Sequence, residues 1–395
     1  MRQSPLSSFK PFPLRLLFAA ALTAVTLLAC DKVPVLPSLE GGEGKAVRMV
    51  VVNEGLFTTN TAALSVIYED GEVLFDVFRW VNRRPLGDVA QSVTMLGGLY
   101  FVAVNNSRRV EILDPVTFES VGNIRYRESG SPRFIAPLTD STAFVSDLLG
   151  QLVVIRTKPP YTDLEYLQLP LKPAYIEKMT TVGGKVFGAY IGKGIAVFDC
   201  DDYSVRRMRL IEEVVPTEVT KTCIMPEDAA GRLWVLTYPE RRAEQTRLTL
   251  HCIDPATEKV VRRVEVPFET KAEEIRKGDI VGMPNYNRLD INGARNLIYF
   301  NLLTASEEGT AERPTQTVYT LDTDTGEIAK YLELPGVSMM YGFGVSPEGE
   351  VCICDCLDYT AQRGYVRVYR PGEGEAEKFR VGVYPRMILF PGKMQ

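Results

Sequence analysis

Histidine is almost missing from this chain: His251 is the single one in 395 residues, and it sits inside the alternating run TRLTLHCID. One imidazole excludes a multi-histidine metal site and a bis-histidine haem, and any Ser-His-Asp arrangement would have to use this residue. A lone histidine on a strand reads as structural. No P-loop is present and no Gly-rich fingerprint follows a strand, so nucleotide binding has no support. Cys352, Cys354 and Cys356 alternate along one strand, and period two puts them on one side of it. Small side chains on a packed face account for them better than thiolate metal binding does, while Cys200, Cys223 and Cys252 stand singly without zinc spacing. Asp322-Thr323-Asp324-Thr325-Gly326 opens like a calcium loop but lacks the closing glutamate, and reads as a hairpin turn. These absences leave no catalytic residue, no metal ligand set and no resident cofactor, so the expected protein is not an enzyme.

A net positive charge is also lacking, with 45 Lys and Arg against 50 Asp and Glu. The net charge is −5, and removing Arg2, Lys10 and Arg15 with the N-terminal segment takes it from −5 to −8. Neither nucleic acid nor an anionic membrane surface is then an expected partner. Beyond the first thirty residues, no apolar run is long enough to cross a bilayer. Those thirty residues have the form of a secretion signal, with a basic start and the uncharged run Leu16 to Ala29. They end Leu27-Leu28-Ala29-Cys30, a lipobox-like tetrad. The expected organisation is a signal peptide over 1–29, a lipidated Cys30 with a Pro- and Gly-rich tether over 30–45, and one domain over 46–395.

What is abundant is repetition. GLYFVAVNNSRRVEILD from Gly98, STAFVSDLLGQLVVIR from Ser141 and GKVFGAYIGKGIAVFD from Gly184 each read as two strands joined by a polar loop. Shorter copies start at Gly231, Arg295 and Gly349, giving spacings of 43, 43, 47, 64 and 54 residues. Several strands per period of this length point to a β-propeller. Four alternating strands, Val89–Leu96, Gly98–Val104, Arg108–Asp114 and Phe118–Ile124, make one blade; further blades are expected over 131–172, 173–214, 215–268, 277–335 and 336–381. Asp114-Pro115-Val116-Thr117 and Asp254-Pro255-Ala256-Thr257 supply outer turns. At the N-terminus VRMVVVN, ALSVIYE and EVLFDVF make three strands that lack an innermost partner. Tyr384-Pro385-Arg386-Met387-Ile388-Leu389 repeats the innermost-strand pattern Ser131-Pro132-Arg133-Phe134-Ile135-Ala136. The expectation is an all-β, seven-bladed propeller closed by the C-terminal strand joining the first blade, with six or eight blades as alternatives.

In a propeller the loops between second and third strands, and those leading into the next blade, emerge on one face. Here they carry amides, phenols and aromatic rings suited to a large, polar, neutral ligand. The candidate contacts are Asn53, Phe57, Asn105, Arg133, Asp147, Tyr190, Tyr286, Tyr341, Asp355 and Tyr359. Loops are polar everywhere, so each alone carries little.

Asn53-Glu54-Gly55, Arg84-Pro85-Leu86-Gly87-Asp88-Val89-Ala90-Gln91-Ser92, Val104-Asn105-Asn106-Ser107, Ser131-Pro132-Arg133, Tyr341-Gly342 and Asp355-Cys356-Leu357-Asp358-Tyr359 together resemble the YncE-like, BtuG-like surface lipoproteins of Bacteroidetes. The resemblance runs in order along nearly all of the mature chain. It implies capture of cobalamin or a related corrinoid on the loop face, at the cell surface of the outer membrane, and delivery to a TonB-dependent transporter. The chain departs from that group at Tyr238-Pro239-Glu240-Arg241-Arg242 and at 307–314, so a siderophore, haem, a glycan or a protein-only scaffold stays open beside the corrinoid, while a propeller lactonase or lyase has only the scattered loop acids Glu54, Asp147 and Asp355 to rest on.

Overall fold

Period-two alternation becomes seven antiparallel sheets arranged as a ring. The computed structural model describes residues 45–172, 175–218, 220–237, 248–267, 287–304, 315–358, 360 and 362–393. Blades 2, 3, 4, 6 and 7 are four-stranded meanders that begin at the axis with Ala90–Leu96, Pro132–Pro137, Ile176–Val182, Leu289–Ile291 and Met340–Val345. Blade 1 mixes the two ends of the chain: Pro385–Leu389 lies innermost and pairs with Val47–Asn53, with Val50 opposite Leu389 and Val51 opposite Ile388. The ring therefore closes through the C-terminal strand, which leaves no inner edge open.

Each blade must bury both faces, and alternation supplies one face to each neighbour. Val102 and Val104 pack toward Val50, Leu64 and Val66 of blade 1, while Phe101 and Ala103 of the same strand pack toward Val145 and Ile155 of blade 3. The described core falls into seven apolar clusters, one for each junction between blades. A shift of one residue in any strand would exchange its two partners, so these clusters fix the register of the whole ring. Cys352 and Cys354 sit in the closing junction beside Met49 and Val51, and burial pushes both thiols well above their usual range.

Two expected strands differ. In EVLFDVF only Val73–Leu74 pairs as an outer strand; Val77–Asn82 is helical, because Asp76 caps it by accepting the Arg79 amide at 3.3 Å. In blade 5 three strands are regular, Leu233–Thr237, Thr249–Asp254 and Lys259–Glu265. The axial position is taken by 221–227, which holds only one bridge, Glu227 to Leu233. Pro226 has no amide to offer a ladder, and the segment is held instead by single bonds such as Thr180 Oγ1 to the Met225 carbonyl at 3.0 Å. The Asp322 turn behaves as expected: its carboxylate accepts the amides of Asp324 and Thr325 at 3.0 and 2.8 Å.

Candidate functional site

Every inner strand runs from the loop face toward the opposite face, so residue order along it measures depth on the axis. Nearest the loop face lies a layer of buried ion pairs. Arg133 Nε donates to Glu177 Oε1 of the next blade at 2.8 Å, and both side chains are buried. Arg386 donates from one guanidinium nitrogen to Glu54 Oε2 at 2.7 Å and from Nε to the Gln91 carbonyl at 3.1 Å. The Tyr341 hydroxyl donates to the same Glu54 oxygen at 3.0 Å, and burial followed by that carboxylate pushes the phenol far above its usual range.

Below this layer the axis opens into a cavity of about 600 Å³. Its rim consists of hairpins between first and second strands, where Gly293 and Gly392 are exposed and Arg295 faces Glu227 at 3.6 Å. The mouth is thus on the face opposite the loops picked out from sequence. Four cations, Lys178, Arg295, Arg386 and Lys393, line it against two carboxylates, Glu227 and Asp290. Asp290 is fully engaged: Lys393 approaches one oxygen at 2.8 Å, the Ile291 amide donates to that same oxygen, and the Val345 amide donates to the other at 2.7 Å.

Lys178 differs from the other three. Its amine stands 4.9 Å from the centre of the Phe134 ring, and among the described residues no carboxylate or carbonyl bonds it. Burial brings it down to about 8, only partly offset by Asp290 and reinforced by Arg386. Two further wall atoms are buried without a hydrogen-bond partner, Gln91 Oε1 and Thr222 Oγ1. Unpartnered buried polar atoms are rare. Thirdly, Gln91 and Thr94 of one inner strand and Lys178 and Thr180 of another add polar residues to the wall.

The residues picked out from sequence lie elsewhere. Asn53, Asp147 and Asp355 are buried, and their side chains latch hairpins to inner strands. Asn53 Oδ1 accepts the Gly382 amide at 2.7 Å; Asp147 accepts the amides of Ser131 and Leu149 at 2.6 and 2.8 Å. Asp355 accepts Arg367 Nε at 2.7 Å and the Met339 amide at 2.9 Å. Asn105 donates to Ser131 Oγ at 2.7 Å, and the Tyr190 hydroxyl donates to the Leu171 carbonyl at 3.1 Å. Arg133 and Tyr341 belong to the ion-pair layer. Phe57 alone is freely exposed, at 67%. Tyr286 and Tyr359 lie outside the described residues. Lys178, Gln91 and Thr222 were missed. The available signal was a lysine in IEKMTTV, at the depth where neighbouring inner strands carry Phe134 and Thr94.

No protein-family model matches the chain, and no curated protein sequence does. Solved structures do share its ring. The periplasmic gluconolactonase of Pseudomonas aeruginosa superposes with a TM-score of 0.59 at 11% identity, covering 88% of this chain and 100% of that one. Two Bacteroides proteins provisionally named 6-phosphogluconolactonases behave alike. The one from Bacteroides uniformis gives 0.58 at 11% identity, with 88% and 99% covered; that from Bacteroides fragilis gives 0.57 at 9%, with 89% and 99% covered. At such identities the likeness shows the fold alone. It still overturns the expectation that the chain is not an enzyme: proteins named for lactone hydrolysis are built on this ring, and scarcity of histidine does not exclude chemistry at an amine that titrates near 8. The chain has the architecture of the seven-bladed propellers among which those lactonases are found.

Proposed function

We propose that this protein binds a small, oxygen-rich anion of the sugar-acid or sugar-phosphate class in its axial cavity. The observation that carries the reading is the charge of the wall: Lys178, Arg295, Arg386 and Lys393 stand against only Glu227 and Asp290, and among the described residues no carboxylate bonds Lys178. A cavity of about 600 Å³ is of the size that encloses a small ligand. Its excess of cations favours an anion. The names of the neighbouring structures, gluconolactonase and 6-phosphogluconolactonase, supply the probes. Calorimetric titration with gluconate and 6-phosphogluconate is expected to give saturable binding, tighter for the phosphorylated acid. No heat from either at millimolar concentration overturns the reading.

A second reading concerns the loop face. Phe57, Leu148, Leu149 and Leu171 are exposed in the loops of that face, and exposed apolar side chains favour contact with a large partner. Together with the resemblance seen in the sequence, this supports capture of a corrinoid and transfer to a TonB-dependent transporter by a protein tethered to the outer membrane surface through a lipid on Cys30. Titration with cobalamin and cobinamide tests the ligand, and absence of binding at micromolar concentration removes it. Palmitate labelling of the full chain and of Cys30→Ala tests the anchor.

A further inference from the structure

The cavity wall contains a reactive group that simple anion binding does not require. A lysine meant only to hold an anion keeps its proton best beside a carboxylate, as Lys393 does beside Asp290 at 2.8 Å. Lys178 has no such neighbour among the described residues. Glu227 faces Arg295, Asp290 is taken by Lys393 and two amides, and Glu54 by Arg386 and Tyr341. Its flank is the Phe134 ring, an apolar surface, and its side chain forms part of the cavity wall. Burial that Asp290 offsets only in part lowers this amine to about 8, so a nucleophilic, unprotonated fraction is present near neutral pH and grows above it.

We infer that Lys178 forms an imine with a small carbonyl compound bearing a phosphate or carboxylate. The inference rests on the reading above, that the cavity takes an anion. The nitrogen lone pair attacks the carbonyl carbon and a carbon–nitrogen bond forms. The carbonyl oxygen then leaves as water, carrying away the two hydrogens of the amine. Arg295 and Lys393 at the rim draw in the anionic end.

Pyridoxal 5′-phosphate, an aldehyde with a phosphate, is a suitable probe. The mature chain is incubated with it and reduced with borohydride, which delivers hydride to the imine carbon while nitrogen takes a proton from water. Intact-mass and peptide analysis then locate the label. The expected result is a single phosphopyridoxyl group on Lys178, absent from Lys178→Arg, and diminished at least tenfold by saturating 6-phosphogluconate. Label spread over exposed lysines with Lys178 unmodified overturns the imine, whether or not 6-phosphogluconate binds by calorimetry. Label on Lys178 that 6-phosphogluconate fails to protect supports the imine and removes the sugar-acid class instead. Lys178→Arg retains the charge, so its folding and its calorimetric binding of 6-phosphogluconate separate loss of the nucleophile from loss of the site.

Discussion

Lys178 Nζ lies 4.9 Å from the centre of the Phe134 ring, across the junction between two neighbouring inner strands. That contact places a cation against an apolar wall with no carboxylate bonded to it among the described residues, and Asp290 offsets its burial only in part. A cation–π contact returns roughly 0.5–2 kcal/mol, less than full solvation would.

The stability of the protein should reveal this. The unfolded chain holds the Lys178 proton up to the ordinary lysine value of 10.5, whereas the folded chain holds it only to about 8. Below 8 the folded state bears the whole cost of a buried charge, and stability rises with pH between 8 and 10.5 as that charge is lost. Lys178→Met is therefore expected to raise stability at neutral pH by about 1–3 kcal/mol, with the gain shrinking toward pH 10.5. Urea unfolding at neutral and at alkaline pH measures it; a destabilised variant would contradict the assigned environment.

The Arg133–Glu177 pair behaves differently, because both partners are buried and bonded to each other. Removing one leaves a bare charge. Arg133→Met or Glu177→Leu alone should cost about 3–5 kcal/mol, and the double replacement much less. A double-mutant cycle by denaturant unfolding checks this.

Gly342 marks the seam where the ring closes. A Cβ there would stand 2.0 Å from the Arg386 carbonyl oxygen, a backbone atom of the closing strand that cannot step aside. Gly342→Ala is expected to cost about 3 kcal/mol or more, whereas Gly374→Ala, with nothing within 4 Å, should be close to neutral. Thermal melts of the two variants make the comparison.

His251 gives the protein an acid-side weakness. Its Nε2 lies 2.8 Å from Thr237 Oγ1, its Nδ1 is buried without a partner, and burial, then Arg263, lowers it to about 4. Between 6.5 and 4 the unfolded chain binds a proton that the folded chain refuses, so stability falls as the pH drops through this window. The contribution is up to about 3 kcal/mol. His251→Gln should flatten that part of the pH–stability curve.

The ring was legible in the sequence because it is written in local patterns. Period-two alternation, Asp-Pro-x-Thr turns and the match between Pro385-Arg386-Met387-Ile388 and Pro132-Arg133-Phe134-Ile135 each report on a neighbour in chain or in sheet. EVLFDVF was misjudged because one capping side chain, Asp76, outweighs alternation over so short a stretch. The site was far less legible. Polar residues at hairpin ends look the same whether they meet a ligand or latch a hairpin, and Asn53, Asp147 and Asp355 turn out to be latches. Lys178 and Gln91 acquire meaning only from depth along the axis, which depends on all seven blades at once.

The central claim is that the axial cavity is the binding site and that Lys178 governs it. The most direct measurement is calorimetric titration of 6-phosphogluconate into the mature protein and into Lys178→Met, Gln91→Leu and Phe57→Ala. The account predicts saturable one-to-one binding that weakens at least tenfold in the first two variants and is unchanged in Phe57→Ala, whose side chain lies on the loop face. Binding that survives in Lys178→Met and Gln91→Leu but disappears in Phe57→Ala would contradict it.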